Sequence, residues 1–307
     1  MTTISATVVE DSESRDGIRL TTLHLRYPRF IHAEFMTHRV FSRNARSSRA
    51  VPISKMIEEV KYDPVVPLYW GKNQPGMQAS EEHDALVELG EEMCDTGIGE
   101  YPSPKSLTRE EAWLEARDRA VEAAQAFAAA GYHKQIVNRL LEPFMHIDTL
   151  VTATEWDNFF TLRDHPDAEP HIQMLAREIK AALEASEPRL LKDDEWHLPY
   201  VYEVEALRLW ETRYGGASQR EAREEWKSDL IKLSVARCAR ISYQPFNGDG
   251  SFEAEMARYR RLVEAFPPHA SPAEHQAKPD VGGTTPELHG NFKGWIQYRK
   301  ILELTHF

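Results

Sequence analysis

Between Ile18 and Tyr27 (IRLTTLHLRY) apolar and polar side chains alternate, several of them β-branched, and Pro28 ends the run, so a strand is expected there. A second strand is expected over Ile147 to Thr154. Most of the remaining periodicity is helical: a short helix over Arg29 to Thr37, then helices over Ile53 to Tyr62, Ser80 to Asp95 and Thr108 to Ala130. Thr108 followed three positions on by Glu111 forms a capping-box pattern, and Gly131 closes that helix. Further helices are expected at His133 to Leu141, Glu155 to Leu162, Glu169 to Ala185, Tyr202 to Thr212, Ser218 to Tyr243 and Ser251 to Ala265. Arg39 to Arg49 is too polar and serine-rich for a regular element, and Pro64, Pro67, Gly71, Pro75 and Gly76 break Asp63 to Met77. Both stretches, with Thr96 to Pro104, are expected to be loops. Met1 to Gly17 reads as a polar, acidic leader, which is not the pattern of a signal peptide. Beyond Pro267 prolines and glycines become dense before a short amphipathic stretch, Trp295 to Leu304.

Charge narrows what such a chain can do. Its 307 residues carry 37 Lys and Arg against 49 Asp and Glu, a net charge of −12, and a general nucleic-acid binder needs clustered surplus cations. Apolar residues at 41% and aromatics at 10% suffice for a core, so disorder is not expected. Cys94 and Cys238 are far apart and form no disulfide framework or CxxC zinc site, which fits a reducing, cytoplasmic setting. No run approaches the roughly 18 apolar residues that cross a bilayer, so no membrane partner is expected.

Against that acidic background, Leu20 to Met56 holds Arg26, Arg29, Arg39, Arg43, Arg46, Arg49 and Lys55 against a single acid, Glu34. Ser42, Asn44, Ser47 and Ser48 lie between the arginines, and such a loop either cradles a phosphate or is a solvated basic surface. Asn158 to Arg163 (NFFTLR) puts two polar groups five apart on a helix edge, which an ordinary amphipathic helix also does. His269 to His275 (HASPAEH) invites a zinc reading, but it lacks a fourth ligand and the HExxH spacing, so no metal is expected and a cofactor-binding loop is as good. His165 to His171 (HPDAEPH) reads as a helix start with acids near the positive end of the dipole. No GxGxxG, Walker loop or GxSxG occurs.

These pieces together resemble the flavin-dependent thymidylate synthases. That family's signature is an Arg-His-Arg triplet followed by Ser, Asn, Ser and Arg, and Thr37 to Arg49 here reads THRVFSRNARSSR. Leu23 to Arg39 (LHLRYPRFIHAEFMTHR) is similar to the strand, proline and helix that lead into the motif, and Arg139 to Pro143 (RLLEP) and NFFTLR follow in the family's order. Leu230 to Tyr243 (LIKLSVARCARISY) and Met256 to His275 look like the family's opening helix and its His-x-Ser/Thr-Pro-x-Glu-His loop, yet they stand last. The resemblance therefore implies a circular permutation, tolerated when old termini are close and new ones exposed.

It implies one mixed α/β (α+β) domain over 1–307, a small, mainly antiparallel sheet with several packed helices and unmatched insertions at about 63–130 and 188–228. It further implies reductive methylation of dUMP to dTMP, with FAD as cofactor, methylenetetrahydrofolate as carbon donor and NADPH as reductant, in a homotetramer with sites between subunits. By position Ser47 and Arg49 resemble the phosphate-holding residues, with Arg139 helping; Arg163 resembles the arginine facing the pyrimidine, with Asn158 beside it. His38, Arg39, Ser42, Asn44, His269, Ser271 and Glu274 resemble the FAD-contacting set. Cys238 reads as core. Several positions depart from the pattern: Thr37 replaces the first motif arginine, Ala45 an acid and Glu34 a glutamine, Thr152 and Thr154 replace flavin-binding residues, and Asp167 replaces a histidine. A carboxylate at Glu34 accepts hydrogen bonds where an amide also donates, so another pyrimidine nucleotide such as dCMP, or hydroxymethylation, is a second expectation. A nucleotide-binding protein without catalysis is a third.

Overall fold

A computed structural model describes residues 3–95, 100–215, 219–242 and 248–306. In chain order the first elements are β1 (Ser5–Glu13), β2 (Arg19–Pro28), α1 (His32–Phe35), β3 (Ser42–Ala45) and α2 (Ile53–Tyr62). Next come β4 (Val87–Asp95), β5 (Glu100–Leu107), α3 (Arg109–Ala129), α4 (Lys134–Val137), β6 (His146–Ala153), α5 (Asp157–Arg163) and α6 (Pro170–Glu184). The last are β7 (Arg189–Leu190), α7 (Glu203–Arg213), α8 (Gln219–Cys238), α9 (Phe252–Val263), β8 (Ala277–Pro279), β9 (Trp295–Gln297) and α10 (Tyr298–His306).

The mixed α/β class is as expected, and the main sheet runs β3-β6-β2-β1-β7, antiparallel except for the β1·β7 edge pair. Side chains alternate across a strand, so Leu23, Leu25 and Tyr27 of β2 share a face with Ile147 and Val151 of β6, and α6 covers them with Ile172, Leu175 and Ile179. On the opposite face Ser42, Thr152 and Thr22 form a cross-strand row beneath His197 and His275. Leu20 on this face joins Leu191, Ala277, Phe292 and Trp295. Both faces are therefore covered along Leu20 to Leu23, and exposure alternates only beyond, where His24 and Arg26 are half-buried.

Two further clusters hold the helices. In one, α2 and α3 pack with Leu141 and Phe144; in the other, Ile231, Val235 and Ala236 of α8 meet Tyr259, Leu262 and Val263 of α9 and Leu302 of α10. Trp113 of α3 donates to the Val65 carbonyl at 2.7 Å, tying down the Pro-rich stretch after α2.

Five expectations need correction. The leader contains β1, whose polar residues are satisfied inside: Asp11 takes Arg19 at 2.6 and 2.9 Å, Thr21 at 3.0 Å and Ser186 at 2.6 Å. Ser80 to Asp95 is not a helix, nor is Thr96 to Pro104 wholly a loop, because β4 and β5 pair as an antiparallel hairpin; residues 96–99 lie outside the described residues. Glu, Leu and Met in β4 favour helix, but Gly90 at φ +83° suits a bulged strand rather than a helix interior. The polar loop Arg39 to Arg49 contains β3, which β6 recruits as an edge. The helix expected at His133 to Leu141 is only α4 followed by a 3-10 segment, Asn138–Phe144, that includes Pro143. Ser218 and Tyr243, the expected ends of the long helix, lie outside the described residues, and α8 runs into a short 3-10 turn at Ala239–Ile241.

Candidate functional site

β2 ends at Pro28, and the turn and α1 that follow carry Glu34, Thr37 and His38 to the C-terminal end of α5. There the Arg163 guanidinium donates from Nε to His38 Nε2 at 3.0 Å, from Nη1 to Glu34 Oε2 at 3.3 Å and from Nη2 to Thr37 Oγ1 at 3.4 Å. Thr37 in turn donates its hydroxyl to the Glu34 carbonyl at 2.7 Å. Phe159 anchors α5 in the core and stands edge-on to His38, ring centroids 4.9 Å apart. Burial, with Arg163 and Arg43 close by, lowers the His38 imidazole to about 4, so it is neutral and Nε2 can accept from Arg163. Burial, reinforced by the Glu169 carboxylate, raises the Glu34 carboxyl against the pull of Arg163. Asn158, one turn earlier on α5, is exposed.

Next to this cluster Arg43 of β3 donates to the carbonyls of Met36 and His38 at 2.7 and 3.1 Å, which fixes the turn between α1 and β3. The same strand meets the C-terminal part of the chain. Asn44 Nδ2 donates to the Cys238 carbonyl at 3.0 Å, the Ser47 amide donates to Ser242 Oγ at 3.0 Å, and Ser242 donates to the Ala45 carbonyl at 2.9 Å. Gln297 Nε2 reaches both Ser42 Oγ at 3.0 Å and the Glu274 carbonyl at 3.1 Å, and the Glu274 carboxylate pairs with Arg299. Burial raises the Glu274 carboxyl, opposed by Arg299 and Arg43. His269 and Ser271 lie exposed at the rim of that segment. Cys238 is buried, and burial pushes its thiol up.

The arginine-rich segment is less basic in three dimensions than along the chain. Arg26 pairs with Asp63 at 2.6 Å, Arg46 with Glu59 at 2.8 Å and Asp148 at 3.5 Å, and Arg29 with Glu142 at 3.0 Å. Arg39 and Arg49 are exposed, and Arg139, also exposed, reaches Glu142 at 3.5 Å. Of the expected phosphate set, Ser47 and Arg49 therefore share a loop with Ser48, which Asn138 binds through the Ser48 and Val51 carbonyls at 2.8 and 3.0 Å, one residue from Arg139.

Sequence reasoning missed a buried polar chain along one face of the sheet. Ser12 Oγ, His197 and Thr22 are linked at 2.9 and 2.7 Å, Thr22 and Thr152 hydroxyls at 2.6 Å, and Thr152 with His275 Nδ1 at 2.8 Å. Burial lowers both histidines to about 3, so each ring is neutral with one donor and one acceptor. Thr152 is thus a core residue, and no spacing along the chain relates Thr22 to His197. The HPDAEPH segment starts α6 as expected: Glu169 accepts from the His171 and Ile172 amides at 2.8 and 3.1 Å. His171 adds a tie to the loop after α2, its Nε2 accepting from the Leu68 amide at 2.9 Å. Among the described residues no group of three or more His, Cys, Asp or Glu is placed to hold a metal ion, and no helix is long and apolar enough to cross a membrane.

Residues 20–189, more than half of the chain, match the family model described as thymidylate synthase complementing protein. Two solved crystal structures of a UMP/dUMP methylase, PolB from Streptomyces cacaoi, align with the chain. The one bound with 5-Br dUMP has 17% identity and a TM-score of 0.37, covering 60% of this chain and 90% of its own. The one bound with 5-Br UMP has 16% identity and a TM-score of 0.39, covering 60% and 89%. No curated protein matches.

Proposed function

Because the chain belongs to the thymidylate synthase complementing protein family, the flavin-dependent thymidylate synthases, we propose that it methylates a pyrimidine nucleotide reductively, converting dUMP to dTMP. The observation that carries this reading is the Arg163 cluster: a guanidinium held by Glu34, Thr37 and His38 at the opening of the basic loop. A cation fixed in place stabilises charge that develops on a pyrimidine ring without reorganising during the reaction. Arg163 and Asn158 then serve the base, and Ser47, Arg49 and Arg139 hold the phosphate at the other end of the loop.

FAD as cofactor suits the residues present. Arg39, His269 and Ser271 are exposed and able to donate, while Arg163 fixes His38, Asn44 ties β3 to the end of α8, and Gln297 ties Ser42 to the Glu274 turn. When bound, the flavin supplies hydride, with methylenetetrahydrofolate giving the carbon and NADPH the electrons. Within the chain, His38 stays neutral and orients Arg163, and Arg43 braces the backbone that presents both.

The packing of α8, Ser242 and the Glu274 turn against β3 supports a circular permutation, since these segments lie outside residues 20–189 yet meet the motif strand. One catalytic domain, a homotetramer with sites shared between subunits and a cytoplasmic setting complete the proposal. Glu34 favours a second reading, action on dCMP or hydroxymethylation, because a carboxylate beside Arg163 accepts from an exocyclic amine.

The test is mass spectrometry of the nucleotide formed from dUMP or dCMP with FAD, NADPH and methylenetetrahydrofolate. Formation of dTMP supports the first reading, and a cytosine-derived or hydroxymethylated product the second. Absence of any product with either nucleotide counts against both and favours a binding protein without catalysis.

A further inference from the structure

Three donors from three parts of the chain converge on one carboxylate oxygen next to the proposed phosphate end. Glu142 Oε1 lies 3.0 Å from Arg29 Nη2, 3.5 Å from Arg139 Nη1 and 3.4 Å from the Ser48 hydroxyl. Arg29 follows β2, Ser48 follows β3, and Arg139 and Glu142 sit on the 3-10 segment before β6. The Asn138 side chain locks the Ser48 loop to that segment, so the convergence is built into the fold rather than left to flexible side chains. The Arg29 and Glu142 side chains are only 21% and 26% exposed. Two guanidinium groups and a hydroxyl around a single anionic oxygen are the donor set that a phosphate takes, and here a carboxylate of the chain fills it.

We infer that Glu142 sets the affinity of the substrate-phosphate end, a resident anion that any incoming phosphate must share arginines with. The inference rests on the proposed reading of Ser47, Arg49 and Arg139 as the phosphate end. Glu142 already neutralises one positive charge and pre-orders Arg29 and Arg139. A phosphate dianion arriving beside them meets a like charge at about 6 Å, which in a water-like medium weakens binding by roughly tenfold. Phosphate alone is then a poor ligand, and affinity must come from the base contacts at Arg163 and Glu34. Every nucleotide meets the same penalty at this end, so discrimination between bases rests with Arg163 and Glu34.

Calorimetric titration of the purified, FAD-supplemented protein with dUMP, 2′-deoxyuridine and inorganic phosphate tests this. Glu142→Gln keeps the shape and removes the charge; it is expected to bind dUMP about tenfold more tightly, with deoxyuridine unchanged and the gain shrinking at high salt. Glu142→Asp keeps the charge and should show no such gain, and circular dichroism confirms that both variants fold. Unchanged or weaker dUMP binding by Glu142→Gln, with dUMP still preferred over deoxyuridine, overturns the inference and makes Glu142 a strut for the arginines. Wild-type protein that binds dUMP no better than deoxyuridine overturns the phosphate-end reading itself, and the inference with it.

Discussion

Replacing Thr22 by valine cuts the buried polar chain at its centre while leaving the shape of the sheet almost unchanged. The Thr22 hydroxyl is bonded to Thr152 at 2.6 Å and to His197 at 2.7 Å, and all three residues are 0% exposed. Each lost bond is worth about 1 kcal/mol net, and a buried group left without a partner costs about 1–3 kcal/mol. Thr152 keeps His275 and His197 keeps Ser12, so only one ring nitrogen of His197 is fully orphaned. The expected loss is about 2–4 kcal/mol, and valine's strand preference offsets little of it. Urea unfolding reads this as a lower midpoint with an unchanged slope. Thr161, exposed on α5, provides the control, Thr161→Val, expected within about 0.5 kcal/mol of wild type. A loss under about 0.5 kcal/mol for Thr22→Val would show that the chain contributes nothing net to the fold.

Falling pH should destabilise the protein through two buried histidines, against a smaller opposite effect of Glu10, whose carboxyl burial raises to about 7. His197 and His275 sit at about 3 in the folded chain, below their ordinary 6.5, so the unfolded chain binds protons that the folded one does not. Their stability is complete above pH 6.5 and is lost as pH falls toward 3, at about 1.4 kcal/mol per unit for each ring, or about 3 kcal/mol for the pair by pH 5.5. A urea midpoint that does not change from pH 8 to 5.5 would contradict this. Arg163→Ala should lower nucleotide turnover by about a hundredfold or more while the flavin spectrum persists; normal turnover would sink its assignment to the pyrimidine. Gly131 ends α3 at φ +83°, and a methyl group added there would meet nothing within 4 Å, so Gly131→Ala should cost about 1 kcal/mol through backbone conformation alone, measured by thermal melting.

The basic loop was visible in the chain, but its charge was not. Seven cations against one acid over Leu20 to Met56 suggested an open anion site, yet Glu59, Asp63, Glu142 and Asp148 come from elsewhere and neutralise Arg26, Arg29 and Arg46. Thr37 read as the loss of a motif arginine, and it proves to be a hydrogen-bond partner of Arg163. The hairpin of β4 and β5 is not legible in the sequence because its helix-favouring residues are largely exposed and no core periodicity opposes their propensity.

Local chemistry, by contrast, was legible wherever it was strong. Alternation and a proline set the limits of β2, a Thr–Glu box and a glycine set those of α3, and the THRVFSRNARSSR run marked the candidate site before any contact was known. These are properties of neighbours along the chain, where backbone conformation and side-chain reach act over a few residues. Which acid faces which arginine, and that Thr22 joins His197 to His275, depends on residues up to 175 positions apart. Only packing distant segments onto the sheet brings them within bonding distance, so tertiary structure alone decided them.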